Sequence, residues 1–326
     1  MGPADGLMLG PNFAQVLAGM DCGRPHAANR RGPRQPLLKL ITVGYQARPT
    51  IAVGHPNRTE ACTMTIAAHT TPLCTLVGAG PGDPELLTLK ALKAIESASV
   101  LLVDDLVSDS IVALAPAHAR VIHVGKRGGC PSTPQAFIDK LMISQARKGE
   151  RVVRLKGGDP FIFGRGGEEV ERLRKAGIAV QVINGITAGL AGVSSLGLPL
   201  THRDHAQGVV FLTGHAKVGG STDWAAMATM AHRARLTLVI YMGMSQAAAL
   251  AEALMQGLPP QTPAGVIQDA SLPQQRHIAT TLAHLASDIA HHKMRSPAVI
   301  VVGDVMAALA WAERSAPVPD LAAAAG

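Results

Sequence analysis

The stretch that most restricts how this chain can fold runs from Arg151 to Glu169, RVVRLKGGDPFIFGRGGEE. Its apolar start, Val152 to Leu155, predicts a β-strand. Gly157 and Gly158 then predict a turn at which a ligand can approach bare backbone. A second glycine cluster precedes two acidic residues, which is typical of the first turn of a helix. A tight strand-to-helix connection that binds nothing is the alternative.

Length and composition indicate an α/β protein with a sizeable core. The chain has 326 residues, 47% hydrophobic and 16% charged, enough for one large domain or two modest ones. Predicted strands alternate with predicted helices, as in α/β folds. No apolar run in the sequence approaches the ~20 residues of a membrane helix. Aromatic residues make up only 3%, which argues against a surface that stacks nucleic-acid bases.

The positive charge is concentrated near the start of the chain. Residues 1–60 contain seven Lys or Arg and three Asp or Glu, so +4 of the net +7 lies there and +3 remains. That remainder is compatible with an acidic small-molecule substrate. The cysteines form no CxxC pair and no metal-binding spacing, which predicts free thiols in a reducing cytoplasm; they are Cys22, Cys62, Cys74 and Cys130.

The pattern along the chain predicts a leader, two domains and a tail. Residues 1–70 have no sustained period, so we expect a mostly disordered leader without a secretory signal. Met64 is an alternative start, just before the first predicted strand. A small ligand is expected in the cleft between the two halves. The segments that follow the leader are an N-terminal α/β domain at 73–205, a C-terminal α/β domain at 208–315 and a flexible tail at 316–326.

A second glycine-rich loop follows the first predicted strand, 73–77. It has the form GxGxGD, with Asp83 where a dinucleotide-binding loop has its third glycine. Pro84 and Glu85 predict the start of a helix. We expect the buried face of that helix to contain Leu86, Leu89, Leu92 and Ile95. A nicotinamide enzyme remains an alternative, because Asp104 ends the second predicted strand, where that fold places an acidic residue.

Acid and base groups follow two further predicted strands. Asp104 and Asp105 follow the strand at 100–103, and Lys126 follows the strand at 121–124. Functional groups of open α/β sheets gather at the carboxyl ends of strands, so Asp104 and Lys126 are expected to share one cleft. A helix cap and a solvated charge are the respective alternatives. Because successive strand side chains alternate, only one of the two aspartates is expected to face the cleft.

The remaining segments predict another ligand-facing helix and a second α/β half. After a strand at 180–183, Thr187 and Ala188 begin a helix of small residues that permits close approach of a neighbouring helix or a ligand. The polar string THRD, 201–204, predicts a loop. Beyond Gly208, four strands are predicted, alternating with helices at 245–256, 280–292 and 304–313.

Several strings taken together resemble the uroporphyrinogen-III C-methyltransferase family of tetrapyrrole methylases. They are VGAGPGDPELLTLKAL, VGKR, RVVRLKGGDPFIFGRGGEE, GITA, LPLTHRD, LTGH and IYMG, and the resemblance extends from Leu73 to near Trp311. It implies a two-domain fold, each half a mixed sheet flanked by helices, with the active site in the cleft between them. It further implies a homodimer that uses S-adenosylmethionine, without a metal, to methylate uroporphyrinogen III at carbons 2 and 7. The product, precorrin-2, would feed siroheme, cobalamin or haem d1 synthesis.

The same resemblance assigns roles to individual residues. It implies Asp104 as proton acceptor and Lys126 as proton donor, and Asp159 as a contact for the charged or hydroxylated end of the cofactor. The implied cofactor-binding positions are Pro81, Gly157, Gly158, Asp159, Ile162, Thr187, Ala188, Met242 and Ala270. The cations available for substrate carboxylates are Lys126, Arg127, Arg154, Lys156, Arg165 and Arg203.

Some positions depart from the family's usual pattern, and other functions stay open. Asp105, Asn184 and Ala270 stand where the family commonly has other residues, and none of them removes a group presumed essential. A related methylase that acts on a later precorrin is the nearest alternative. A nicotinamide oxidoreductase would need the absent third glycine. A ligand-binding protein without catalysis would leave the pair Asp104 and Lys126 without a purpose.

Overall fold

The computed structural model describes residues 73–125, 133–215 and 222–309, all of which fall within one compact unit, Ile66–Gly326. The predicted leader, the predicted tail and Lys126 lie outside the described residues. Because contacts group the described parts of both predicted domains into one unit, the division at 205–208 stays a prediction. In these described ranges, no helix is long and apolar enough to cross a membrane.

The first sheet is parallel throughout its described strands, in the order β3-β2-β4-β1-β5. Its inner strands are buried on both faces, which explains their nearly continuous apolar sequences. The mixed sheet expected for this half is therefore not what forms. The strands are β1 (Leu73–Gly78), β2 (Val100–Val103), β3 (Arg120–His123), β4 (Val152–Lys156) and β5 (Ala179–Ile183).

Helices connect these strands and cover both faces of the sheet. One apolar cluster forms around Leu76, Leu102 and Met142, and another forms around Val77, Leu101 and Ile111. The two sets alternate along the strands, so each face of the sheet carries its own core. The helices are α1 (Leu89–Glu96), α2 (Asp109–Val112), α3 (Gln135–Arg147), α4 (Gly166–Lys175) and α5 (Ala188–Ser195).

The helix predicted from Pro84 is interrupted. Pro84–Leu86 forms a single 3-10 turn, and α1 begins anew after Thr88, whose hydroxyl accepts a hydrogen bond from the Ala91 amide. Because α1 starts at this new cap, a different face of the helix is turned toward the core than the sequence predicts. Ala91 and Ile95 are buried, while Leu89 is 77% exposed. The prediction that Leu89 belongs to the buried face was wrong for this reason.

The second sheet is mixed, as expected, with the order β6-β7-β10-β8-β9. β6 and β7 are parallel, whereas β10 is antiparallel to both of its neighbours and β8 is antiparallel to β9. The strands are β6 (Gly208–Thr213), β7 (Leu236–Tyr241), β8 (Pro263–Gln268), β9 (Arg276–Thr281) and β10 (Ala298–Val302). The helices are α6 (Trp224–Ala234), α7 (Ala247–Leu254) and α8 (Leu285–His291).

Strand β9 replaces the start of the helix predicted at 280–292. Its sequence, RHIATT, buries only Ile278 fully, so it lacks the alternation that identifies a half-buried strand. Antiparallel pairing with β8 nevertheless fixes it at the sheet edge. A 3-10 turn, Leu282–His284, precedes α8. The helix predicted at 304–313 begins as a 3-10 turn, Asp304–Met306, and its last residues lie outside the described ranges.

Helix α5 belongs to the first half in sequence but packs on the second sheet. Val193 is fully buried in a core with residues of β7, β8 and β10. A Cβ placed on Gly189 would lie 2.5 Å from the Tyr241 hydroxyl, and one on Gly192 would lie 3.1 Å from Ile267. The small residues of α5 therefore allow close packing against a sheet, rather than against another helix.

Candidate active site

The loops after β1, β4 and β5 meet backbone to backbone at the carboxyl edge of the first sheet. A Cβ on Gly78 would lie 2.5 Å from the amide nitrogen of Gly185 and 2.7 Å from the carbonyl oxygen of Gly158. Gly80 and Gly158 also exchange hydrogen bonds of 3.2 and 2.7 Å between their amides and carbonyls. The contact between these loops excludes side chains, which accounts for glycine at these positions.

Gly157 and Gly158 have different surroundings, although both were predicted to contact a cofactor. A Cβ on Gly157 would lie 2.7 Å from the Leu106 Cβ, so this glycine accommodates the loop after β2. Gly158 has a φ of +66°, and a Cβ there would first meet Thr187, at 3.7 Å. Only Gly158 therefore presents the open backbone that a ligand could approach.

Asp159 joins two of these loops through its own carboxylate. Oδ1 accepts a hydrogen bond from the Phe161 amide at 2.8 Å. Oδ2 accepts hydrogen bonds from the side-chain amide of Asn184 and the backbone amide of Gly185, both at 3.1 Å. The side chain is buried, so it acts first as a clamp between loops. Its predicted contact with a cofactor stays a prediction, and Asn184 gains a role that the sequence did not reveal.

An exposed apolar rim borders this edge of the sheet. Phe161, Ile162 and Phe163 are consecutive exposed residues between β4 and α4, and Leu106 and Met242 are also exposed. Exposed apolar side chains in such a group indicate a binding surface. Phe163 and Met242 have positive φ values of 52° and 56°, and backbone strain of this kind clusters at functional sites.

Thr187 and Ala188 lie where the two halves meet. Ala188 packs against the core of the second sheet. The Thr187 hydroxyl lies 2.7 Å from the hydroxyl of Tyr241, which also accepts a hydrogen bond from the Gly189 amide at 2.8 Å. Burial raises the pKa of Tyr241. The Tyr241 ring also packs against Phe163, with centroids 5.1 Å apart. No periodic pattern in the sequence predicts Tyr241 as a contact between the halves.

Pro81 and Ala270 also lie on loops that contact each other. The Asp83 amide donates a hydrogen bond to the Ser271 hydroxyl at 3.1 Å, and a Cβ on Gly82 would collide with Leu272. Ala270 is buried, and a Cβ on Gly192 would lie 3.2 Å from its methyl group. The Ala270 side chain thus packs on α5. Any cofactor contact at this position would involve the backbone or a neighbouring residue.

A cavity of about 310 Å³ lies at the end of β2 and contains both aspartates in its wall. Strand β2 ends at Val103, and a turn follows in which the Val107 amide bonds to the Asp104 carbonyl. Strand alternation therefore stops before Asp104, and the expectation that only one aspartate faces the substrate stays a prediction. The sequence missed the other lining residues, which are Val103, Val107, Ser108, Asp109, His123, Gly125, Leu272 and Gln274.

Asp104 is linked to a buried group of charges. Its Oδ2 lies 3.4 Å from Nη2 of Arg154, a side chain that is only 2% exposed. Arg154 Nε and Lys156 Nζ lie 3.2 and 3.1 Å from the carboxylate of Glu169, which is fully buried. Burial lowers the pKa of Lys156, and the Arg154 guanidinium lowers it further. The expectation that Arg154 and Lys156 are available to substrate carboxylates was wrong, because both are enclosed and paired.

The other cations predicted for a substrate differ in their accessibility. Arg165 is exposed and forms hydrogen bonds of 3.1 and 2.7 Å to Glu168. Arg203 is exposed in the loop before β6. Lys126 and Arg127 lie outside the described residues. Within the described parts of the chain, no group of His, Cys, Asp or Glu side chains is arranged to hold a metal ion.

Comparisons with known proteins identify relatives of this chain. The family model for tetrapyrrole (corrin/porphyrin) methylases matches residues 74–286. A uroporphyrinogen-III C-methyltransferase of Pseudomonas aeruginosa is 49% identical over 231 residues, which are 71% of this chain and 92% of that protein. A siroheme synthase of Neisseria meningitidis is 51% identical over 241 residues, 72% of this chain, and the chain spans about half of that protein's length, 49%.

A solved structure has the same fold. The uroporphyrin-III C-methyltransferase of Thermus thermophilus, in complex with S-adenyl homocysteine, superimposes with a TM-score of 0.61 at 40% identity. The match covers 72% of this chain and 99% of that structure. The α/β architecture of two sheets flanked by helices is therefore confirmed.

Proposed function

Because this chain belongs to the tetrapyrrole methylase family, we propose that it methylates uroporphyrinogen III at carbons 2 and 7, using S-adenosylmethionine. The product is precorrin-2, a precursor for siroheme, cobalamin or haem d1. The observation that carries the proposal is the cavity lined by Asp104 at the end of β2. The 49% identity to a uroporphyrinogen-III C-methyltransferase, over 92% of that protein, supports the same substrate.

The turn at Gly158 fits the methyl donor. Its left-handed backbone is accessible where a side chain would project, and Thr187 borders the same space. When bound, S-adenosylmethionine supplies a methyl group activated by its sulfonium, so the reaction requires positioning rather than a metal. The relative from Thermus thermophilus binds the demethylated form of this donor. We assign direct donor contacts to Pro81, Gly158, Ile162, Thr187, Ala188 and Met242. Gly157, Asp159 and Ala270 belong to the same donor site and shape the loops that form it.

Asp104 is the proton acceptor in this proposal. Formation of a bond between the methyl group and a ring carbon obliges the macrocycle to lose a proton, which a base in the cavity receives. The Asp104 carboxylate lines the cavity and is 36% exposed, so it can meet a substrate while one oxygen faces Arg154.

Lys126 is the proton donor in the same proposal. Strand β3 runs parallel to β2 and pairs His123 with Val103, so the chain leaves β3 at the edge where Asp104 lies. Gly125, the residue before Lys126, packs against Asp105. This adjacency of the described residues supports the assignment of Lys126 as the donor.

Substrate recognition is assigned to the apolar rim and to accessible cations. The rim of Phe161, Ile162 and Phe163 offers apolar surface to the macrocycle. In this proposal, the carboxylates of the macrocycle pair with Arg165, Arg203, Lys126 and Arg127. We further infer that the enzyme acts in the cytoplasm and that it is a homodimer. Sedimentation equilibrium of the purified protein would test the oligomeric state.

One reaction tests the proposed function. Purified protein is mixed with S-adenosylmethionine labelled in its methyl group and with enzymatically made uroporphyrinogen III. The expected result is label in a dimethylated tetrapyrrole. If a parallel reaction that contains a later precorrin becomes labelled, and the reaction with uroporphyrinogen III does not, the protein is a related methylase. Calorimetric binding of NAD, without binding of S-adenosylhomocysteine, would indicate a nicotinamide enzyme.

A further inference from the structure

We propose that Arg154 is a positioning residue for methyl transfer, holding the Asp104 carboxylate in the orientation in which it receives the substrate's proton. This inference rests on the proposed function, in which Asp104 is the base. Arg154 itself does not touch substrate, because its side chain is only 2% exposed and lies behind the strand end.

The guanidinium of Arg154 is held by several groups. Its Nε donates to Glu169 Oε1 at 3.2 Å, and its Nη1 donates to the carbonyl oxygens of Leu102 and Leu155 at 3.4 and 3.1 Å. Its remaining nitrogen, Nη2, lies 3.4 Å from Asp104 Oδ2 and forms an ion pair with it. A guanidinium is planar with its donors in a rigid fork, so three fixed partners determine the direction of the fourth contact.

Asp104 needs such support because it lies just beyond the end of β2. Its amide donates to the Leu155 carbonyl at 3.1 Å, which fixes the backbone, and its Oδ1 accepts from the Asp105 amide at 3.1 Å. Oδ2 faces Arg154. The carboxylate is therefore held at both oxygens while part of it remains exposed to the cavity.

The buried charges next to Asp104 neutralise one another even when no substrate is bound. Asp104 and Glu169 alternate with Arg154 and Lys156, and Gln135 donates a further hydrogen bond of 3.0 Å to Glu169. Apolar residues can often replace a buried ion pair without loss of stability. The stability of the fold alone therefore does not explain why Arg154 and Glu169 are charged. Orientation of the partly exposed Asp104 carboxylate does explain it.

A double-mutant cycle tests this role. Single-turnover methyl transfer to uroporphyrinogen III is measured at saturating S-adenosylmethionine for the wild type, Arg154→Met, Asp104→Ala and the double variant. A misplaced catalytic group costs up to about 100-fold, so we expect Arg154→Met to slow transfer about 10- to 100-fold. In the Asp104→Ala background the same substitution is expected to change the residual rate less than about 3-fold, because residues that act through one another are not additive.

Controls separate positioning from damage to the fold. Arg172→Met removes a guanidinium from another buried carboxylate, Asp139, without approaching Asp104, and should transfer methyl groups at the wild-type rate. Arg154→Lys should recover part of the rate, because it restores charge without the fork. Should Arg154→Met fail to fold, Arg154→Met combined with Glu169→Gln removes one positive and one negative charge together and takes its place in the cycle.

The outcomes distinguish the two proposals. No label transfer by the wild type overturns the proposed function, and full activity of Asp104→Ala overturns the base assignment. If both of those tests pass, an equal fold-loss from Arg154→Met in the two backgrounds overturns the positioning role. So does a wild-type rate for Arg154→Met. Unchanged calorimetric affinity of Arg154→Met for S-adenosylhomocysteine, together with non-additivity, supports it.

Discussion

The hydroxyl of Tyr241, at the end of β7, lies 2.7 Å from the hydroxyl of Thr187, which precedes α5. Thr187 makes no capping hydrogen bond to its own helix, and Tyr241 instead accepts the hydrogen bond from the Gly189 amide. The start of a helix from the first half is thus capped by a side chain of the second half.

Replacement of this cap should destabilise the whole unit. Tyr241→Phe leaves the Thr187 hydroxyl and the Gly189 amide without their partner, so we expect a loss of about 1 to 2 kcal/mol in the free energy of unfolding. Urea denaturation measures it as a lower midpoint at constant slope. Thr187→Ser keeps a hydroxyl, so its free energy of unfolding should fall by less than that of Tyr241→Phe. An unchanged midpoint for Tyr241→Phe would show that water replaces the tyrosine.

The two aspartates of the cavity should differ in function, although both line it. Asp104→Ala should reduce single-turnover methyl transfer by at least about 100-fold with near-normal binding of S-adenosylhomocysteine, since general base catalysis contributes about 10²- to 10⁴-fold. Asp105→Ala is the matched control and should keep most activity. An inactive Asp105→Ala together with an active Asp104→Ala would transfer the role of base to Asp105.

Gly158 should be required for donor binding. Gly158→Val places a branched side chain next to Thr187, at the turn assigned to the donor, so the affinity for S-adenosylhomocysteine in calorimetry should fall by at least about 10-fold, or 1.4 kcal/mol. Gly177→Val is the control, since Gly177 also has a positive φ, +75°, with no atom within 4 Å of an added Cβ. Gly177→Val should lower the free energy of unfolding by an amount similar to Gly158→Val. It should leave the affinity for S-adenosylhomocysteine unchanged. Normal affinity of Gly158→Val would exclude the proposed contact.

The buried thiol of Cys74 should make the fold sensitive to alkaline pH. Burial first, and the nearby Glu169 charge second, raise the pKa of Cys74 from 9.0 to about 12. A group whose pKa is raised by folding contributes stability below its unfolded pKa and loses that contribution as pH rises. The free energy of unfolding should therefore fall between pH 9 and about 12.

Two measurements check the assignment to Cys74. Cys74→Ala should show a shallower decline of stability over the same pH range, measured by urea denaturation. A thiol reagent at pH 8 should leave Cys74 unmodified in the native protein and modify it in urea, because the thiol is fully buried. Modification of native Cys74 at pH 8, located by peptide mass, would contradict the burial.

The sequence predicted correctly those elements in which one physical requirement, such as complete burial or close backbone contact, determines the residue types. β2 and β7 were found because strands buried on both faces are almost continuously apolar. The turn after β4 was found because close backbone contact demands glycine. Placement of the candidate site at the strand ends follows from the α/β class, which the alternation of elements already indicated.

Other features depend on partners that are distant in sequence. β9 exists because β8 offers it an edge, although its own residues are mostly polar. The burial of Arg154 could not be anticipated, because Glu169 becomes its partner only when α4 folds back over the sheet. Asp104 and Asp105 both line one cavity because the chain turns directly after Val103, so the alternation of strand side chains does not extend to them.

The packing of α5 has a consequence for synthesis of the chain. The residues of α5, Ala188–Ser195, leave the ribosome before β7 and β10, the strands on which the helix is buried. Until Val302 has been made, the first sheet can assemble but its last helix has no completed surface to cover. A fragment that ends near residue 205 should therefore expose α5 and associate with other chains, whereas coexpression with the complementary fragment should restore a soluble pair.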